Sequence, residues 1–157
     1  MNQQEAYIQE TITLLKERYK LSLAELIDTY NEETTIPATI YDNELTPLEA
    51  TTQYLSEVRN KTPTEIAQAL HRRKSTIQAA QKNAKQKNVQ LQDNPTTPHR
   101  IPLNAFNNTL SPAETIIHAL HEQQLKNSDI AQILGKDPRN IWQTLKRAQE
   151  KIRGEEP

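Results

Sequence analysis

The sequence predicts an all-α protein, built as two tandem three-helix units behind a short N-terminal helical pair. Apolar residues recur at helical spacing through most of the 157 residues, and no segment alternates with period two for long enough to make a convincing strand. The chain also repeats itself, and internal repeats decide architecture. Ile36-Pro37 recurs as Ile101-Pro102, 65 residues on. The same offset matches Asn43 with Asn108, Leu45 with Leu110, Pro47 with Pro112, Glu49 with Glu114, Leu55 with Leu120, Glu57 with Glu122 and Lys61 with Lys126. After one deletion the offset becomes 64 and matches Ile66-Ala67-Gln68 with Ile130-Ala131-Gln132, then Leu70/Leu134, Ile77/Ile141, Lys82/Lys146, Ala84/Ala148 and Lys87/Lys151.

Residues 1–35 carry a weaker third pattern, pairing Leu15 with Leu55, Glu17 with Glu57, Glu25 with Glu65, Leu26 with Ile66 and Tyr30 with Leu70. Ser22-x-x-Glu25 and Thr62-x-x-Glu65 are both capping boxes, in which each side chain satisfies a free backbone N–H at a helix start. Thr34-Thr35-Ile36-Pro37 cannot continue helically through Pro37, so only two helices are expected. Common ancestry and generic amphipathic spacing both account for this copy.

Copy one spans 36–87. Pro47 opens a helix whose Leu48, Thr51, Thr52, Leu55 and Val58 share one face. Thr62 caps a second helix, with Pro63 at its first position and Ile66, Ala69 and Leu70 inward. The third begins near Lys74 and turns Ile77, Ala80 and Ala84 inward. Residues 88–100 are polar, carry Pro95 and Pro98, and read as a linker. Copy two spans 101–153, with inward Ile116, Ile117 and Leu120, then Ile130, Ile133 and Leu134, then Ile141, Leu145, Ala148 and Ile152. Asp137 as cap and Pro138 in the first turn mark the start of its third helix. Before both copies stands an Ile-Pro-x-x-x-aromatic entry, ending at Tyr41 and Phe106, expected to lay an extended apolar arm over the helices. Gly154 to Pro157 should fray.

Composition removes whole classes of function. The chain has no cysteine, which excludes disulfide scaffolds, thiolate zinc sites and cysteine nucleophiles. Two glycines, Gly135 and Gly154, cannot build a phosphate-cradling glycine loop. No apolar run approaches the ~20 residues of a membrane span, and the N-terminus lacks a signal sequence. A cytoplasmic protein is expected. The net charge of −1 conceals an uneven distribution: residues 1–35 carry three basic and seven acidic side chains, 36–92 eight and five, and 93–157 eight of each. Between Ile66 and Gln92 there is no acidic residue, while Arg72, Arg73, Lys74, Lys82, Lys85 and Lys87 lie there. Such a stretch in a near-neutral chain makes an oriented electrostatic face.

Two short helices joined by a tight turn, the second of them basic, make a helix-turn-helix. The first two helices and the inner face of the third form a small core. The outer face of the third is then rigid enough to enter a major groove ~12 Å wide. The stretch Leu110-Ser111-Pro112-x-Glu114, through Ser128-Asp129-Ile130-Ala131-x-x-Leu134-Gly135, to Asn140-Ile141-Trp142-Gln143-Thr144-Leu145-Lys146-Arg147-Ala148 resembles the promoter-reading helix-turn-helix (region 4) of bacterial sigma factors. It is also similar to the effector domain of LuxR-type regulators. Copy one resembles the same family through Leu45-Thr46-Pro47-x-Glu49, Glu65-Ile66-Ala67 and Ser75-Thr76-Ile77. Together the copies cover about two-thirds of the chain. Nothing resembles the aromatic-rich promoter-melting domain of sigma factors, and 1–35 is too small for a LuxR-type sensor. The resemblance therefore implies a DNA-binding module duplicated in tandem.

On that reading the exposed positions of the third helices face duplex DNA. In copy one these are Lys74, Ser75, Thr76, Gln78, Ala79, Gln81 and Lys82; in copy two, Arg139, Asn140, Gln143, Lys146 and Arg147. Arg pairs with guanine and Asn or Gln with adenine through two hydrogen bonds. Ser75, Thr76 and the peripheral lysines suit phosphates, as do Arg72, Arg73 and Lys136 in the turns. Lys85 and Lys87 read more simply as solvated face. Trp142 is read first as a half-buried core residue, with a thymine-methyl contact or an interface anchor as alternatives. His118 and His121 suggest a metal, but the zinc-protease signature that His121-Glu122 begins has Leu125 where its second histidine belongs. No metal, cofactor or catalytic constellation is expected.

The expected function is that of a transcriptional regulator reading duplex DNA through two units. One rival is a protein–protein adaptor docking on RNA polymerase or another regulator, with the acidic segment 1–35 as a contact or as a shield. A nucleoid-type binder without sequence preference is another. RNA binding is disfavoured by the lack of an aromatic stacking surface.

Overall fold

The structure is a computed structural model that describes residues 2–19, 34–94 and 96–154. It divides into two units, Met1–Thr34 and Thr35–Pro157. In the first, helix α1 (Gln3–Tyr19) opens with reciprocal bonds: the Asn2 amide donates to Glu5 Oε2 at 3.1 Å, and the Glu5 amide to Asn2 Oδ1 at 2.7 Å. The second N-terminal helix expected around Ser22 and Glu25 lies outside the described residues.

The second unit is mostly helical, and each copy supplies three helices. Copy one contributes α2 (Pro47–Gln53), which runs into a wide π turn (Tyr54–Val58), then α3 (Pro63–Leu70) and α4 (Lys74–Lys87). Copy two contributes α5 (Pro112–Glu122), α6 (Asn127–Leu134) and α7 (Pro138–Ile152). In both copies the third helix packs on the first and the second.

The helix starts follow the sequence signals. Thr46, Thr62 and Ser111 each form a full capping box with Glu49, Glu65 and Glu114, followed by proline at the first turn. Asp137 caps α7, its Oδ1 accepting from the Arg139 amide at 2.7 Å. α3 and α6 end at left-handed residues, His71 (φ 53°) and Gly135 (φ 62°), which turn the chain within three residues into the next helix. Inward faces agree with the periodicity at Thr51, Thr52, Leu55, Ile66, Leu70, Ile77, Ala80 and Ala84, and at Ile116, Ile117, Leu120, Ile130, Leu134, Ile141, Leu145 and Ala148, all buried. Some assignments change. Ala67 rather than Ala69 is buried in α3 and Ala131 rather than Ile133 in α6, Leu48 and Val58 are half-buried, and Ile152, expected inward, is 52% exposed in the last turn of α7.

The sequence gives no strand signal, yet the entry arms pair. β1 (Thr35–Pro37) and β2 (Arg100–Pro102) run antiparallel with Thr35 opposite Pro102, Ile36 opposite Ile101 and Pro37 opposite Arg100. Three residues are too few to show alternation, so this pairing is invisible to periodicity. The Ala38 amide donates to the His99 carbonyl at 3.0 Å in the same register. Bonded pairs alternate along an antiparallel ladder, which leaves Pro37 at a position that needs no donor. Ile36 and Ile101 are both fully buried.

Beyond the strands the arms cross over. The 3-10 turn Ala38–Tyr41 of copy one packs on α6 of copy two, and the 3-10 turn Leu103–Ala105 of copy two packs on α3 of copy one. The first helices, α2 and α5, also touch. Each arm thus reaches the other copy's second helix while also lying on the first helix of its own copy.

Among its described residues, the stretch 88–100 has no regular secondary structure before Arg100 but is fastened at several points. Gln53 Nε2 donates to the Val89 carbonyl at 2.6 Å, and the Tyr54 hydroxyl to Asp93 Oδ1 at 3.0 Å. Arg100 donates to Asp93 Oδ1, the Asn94 carbonyl and Thr35 Oγ1.

One ion pair occurs twice, at equivalent places. Lys87 Nζ lies 2.8 Å from Glu49 Oε2, and Lys151 Nζ lies 2.9 Å from Glu114 Oε2. Both glutamates are buried capping-box residues. Burial pushes each carboxyl up, but the lysine and the backbone and hydroxyl bonds of the cap together outweigh it and hold both below the usual carboxylate range. A depressed folded-state pKa contributes stability that is present above the unfolded value, ~4.3, and lost as pH falls through the folded value. Chemical denaturation from pH 7 down to ~3 should therefore show stability falling below pH ~4.3. The E49Q/E114Q double variant should be less stable at pH 7, with a flatter acid limb. An unchanged limb would locate the acid sensitivity elsewhere.

Candidate nucleic-acid interface

The candidate surface is the outer side of α4 and α7. In α4 the stripe Ile77, Ala80 and Ala84 is buried, which leaves Lys74, Ser75, Thr76, Gln78, Ala79 and Lys82 exposed and Gln81 half-buried at the edge. Asn83 is exposed beside Lys82 and belongs to the same surface. The sequence reading omits it, although its position off the buried stripe could have pointed to it. In α7, Ile141, Leu145 and Ala148 are buried, while Arg139, Asn140, Gln143, Lys146 and Arg147 are exposed. Arg147 Nη2 donates to Thr144 Oγ1 at 3.4 Å along the helix.

Trp142 departs from its expected half-buried core position. It is 55% exposed, with Lys146 Nζ lying 5.4 Å from the ring centroid. The helical period explains this: Ile141 takes the inward position, so its neighbour is turned about 100° away. Trp142 and Gln143 line an open groove of about 490 Å³ with Arg139, Pro138 and Asn127. Asn127 belongs to α6, so spacing along α7 carried no hint of it.

The helix starts differ electrostatically. α4 begins at Arg73 with no side-chain cap, so its first-turn N–H groups stand beside the exposed Arg73 and Lys74. The Thr76 amide donates to the Arg73 carbonyl at 3.0 Å; the positive end of the helix dipole and two cations favour an anion at this start. α7 begins at Asp137, whose carboxylate already occupies that place. Lys136 is exposed in the preceding turn.

Arg72 serves a different purpose from the phosphate contact expected of it. Its Nη1 donates to the Asn107 carbonyl at 3.0 Å and its Nη2 to the Leu110 carbonyl at 2.9 Å, both in copy two. The guanidinium ties the α3–α4 turn to the start of the other copy's helices. On the opposite side Asp42 lies so close to Gly135 that a Cβ there would strike its carboxylate. There too a cavity of about 140 Å³ lies between the copies, lined by Tyr41 and Leu45 of one and Ile117, Leu134, Lys136 and Asn140 of the other. Lys87, like Arg72, is committed internally, through its ion pair with Glu49.

His118 Nε2 lies 3.6 Å from Glu122 Oε1, and among the described residues no three ligand-type side chains converge. Also among the described residues, no helix is long and apolar enough to cross a membrane. Comparison with protein families, with curated proteins and with solved structures finds no match to this chain.

Arg72→Ala should lower stability by about 2 kcal/mol, because two carbonyls lose a charged donor. Arg73→Ala, at an exposed side chain, should leave thermal stability nearly unchanged. Thermal melts of the two variants test this, and equal melting temperatures would remove the clamp role of Arg72.

Proposed function

We propose that this chain is a DNA-binding transcriptional regulator that reads duplex DNA through two helix-turn-helix units, α3–α4 and α6–α7. The observation that carries the reading is the outer face of α4. It presents Lys74, Ser75, Thr76, Gln78 and Lys82 to solvent with no acidic side chain among them, on a helix anchored along its other side by Ile77, Ala80 and Ala84. A rigid helix with cations at its rim and amide side chains at its centre suits a major groove. The cations hold phosphates and set register, while Gln78 has the two-atom amide that pairs with adenine. The uncapped start of α4 adds a backbone site for one more phosphate.

In copy two, Arg139, Asn140 and Gln143 offer guanine- and adenine-reading groups, and Lys136, Lys146 and Arg147 offer phosphate contacts. The exposed Trp142 beside an open groove favours a second reading for this copy, as the docking surface for a protein such as a polymerase subunit. Aromatic anchors in grooves are typical of such interfaces. DNA affinity unchanged in an R139A/N140A variant would select that second reading for copy two.

Binding to a fluorescent mixed-sequence duplex should weaken steeply with salt. If about six phosphates are neutralised, affinity drops roughly 1,000-fold between about 50 and 200 mM. Lys74→Ala and Lys82→Ala should each reduce the slope of log affinity against log salt by about 1. Lys87→Ala should leave the slope alone and reduce stability instead. Affinity that barely changes over that salt range would sink the proposal.

A further inference from the structure

A two-fold relation runs through the second unit. Ile36 pairs with its own counterpart, Ile101; Thr35 pairs with Pro102, the counterpart of Pro37, and Pro37 pairs with Arg100, the counterpart of Thr35. The 3-10 turns exchange reciprocally, α2 meets α5, and the Glu49–Lys87 pair is repeated as Glu114–Lys151. These are the contacts of an isologous dimer, made within one chain.

The same two-fold relates α4 to α7, so a half-turn carries the outer face of one onto that of the other. Duplex DNA has two-folds of its own, perpendicular to its length. A two-fold protein therefore meets it at half-sites that run on opposite strands. Two units on a free tether would accept half-sites in any orientation. Here the connecting stretch is fastened through Val89, Asp93 and Arg100, and the copies clasp each other's arms.

The symmetry stops at the outer surface. On the inner side several counterparts are identical, as with Ile77/Ile141, Ala84/Ala148 and Lys87/Lys151, while Ala80 corresponds to Thr144 and Gln81 to Leu145. On the outer side they are Ser75/Arg139, Thr76/Asn140, Gln78/Trp142, Ala79/Gln143 and Asn83/Arg147, and only Lys82/Lys146 is shared. Different groups at corresponding positions read different bases.

We infer that the target is one duplex carrying two different half-sites in inverted orientation at a single spacing, so that the protein binds in one direction only. The inference rests on the DNA-binding reading above.

The test is selection of the full chain on a pool of randomised duplexes, followed by sequencing of the retained DNA. The expected result is two dissimilar blocks on opposite strands at one separation. Inserting about five base pairs, half a helical turn, between them should lower affinity by about a hundredfold, as the second contact loses its effective concentration. An R139S/N140T variant, altered only at exposed positions, should change the preference at one block and leave the other intact. Blocks in direct orientation, identical blocks, tolerance of the insertion, or two duplexes bound per chain would each overturn the inference while leaving DNA binding standing. Retention of no duplex at low salt would instead remove the DNA-binding reading itself, and this inference with it.

Discussion

The antiparallel pairing of Ile36 with Ile101 is the constraint on which the rest of the second unit depends. Each copy is about fifty residues long, a size at which little of the chain's surface can be buried. Pairing the entry arms places two fully buried isoleucines at the two-fold and sends each arm onward to the other copy's second helix. Burying such a side chain contributes about 1.5–3 kcal/mol. The pairing also joins two marginal cores into one, and that is the larger consequence. Tyr41 and Phe106, at the ends of the arms, are buried as a result. Burial also pushes the Tyr41 phenol up, which keeps it neutral as it bonds Thr51 Oγ1 at 2.8 Å.

Cations divide between two tasks according to where they sit on their helices. Lys87 and Lys151 reach back at helix ends to buried glutamates that already cap the first helix of each copy, so one carboxylate secures a helix start and ties it to the far end of another helix. Arg72 and Arg100 bind carbonyls and a carboxylate across the copies and the connecting stretch. The cations of the outer faces, Lys74, Lys82, Arg139, Lys146 and Arg147, face solvent. Holding the scaffold with one set leaves the other set on helices fixed along their inner faces, so that its charge is oriented.

Symmetry and its loss are distributed in the same way. Ile36/Ile101 and the pairs Glu49–Lys87 and Glu114–Lys151 are kept in both copies, while other contacts between the copies differ from one side to the other. At the turns, Arg72 makes charged bonds on one side, while Gly135 admits Asp42 on the other. Outer positions have no such tie. Gln78 and Trp142, or an uncapped α4 and an α7 capped by Asp137, differ at positions that face solvent.

Much of this was legible in the sequence, and for local reasons. A capping box such as Thr62-x-x-Glu65 acts within one turn, and the stripe Ile77, Ala80 and Ala84 follows from the pitch of a single helix, so helix starts and inward faces could be read from spacing. The duplication was plain from identities such as Glu49/Glu114, and with it the candidate outer faces. Only the tertiary structure decided how the copies meet. A three-residue strand pair has no period to detect, an arm gives no sign of which copy it will cover, and the partners of Arg72 lie 35 and 38 residues away. The exposure of Trp142 and Ile152 was decided there too, since whether an apolar side chain is buried depends on whether another element is there to cover it. Local rules determine what each segment forms; which surfaces face each other depends on contacts between residues that the chain order does not place side by side.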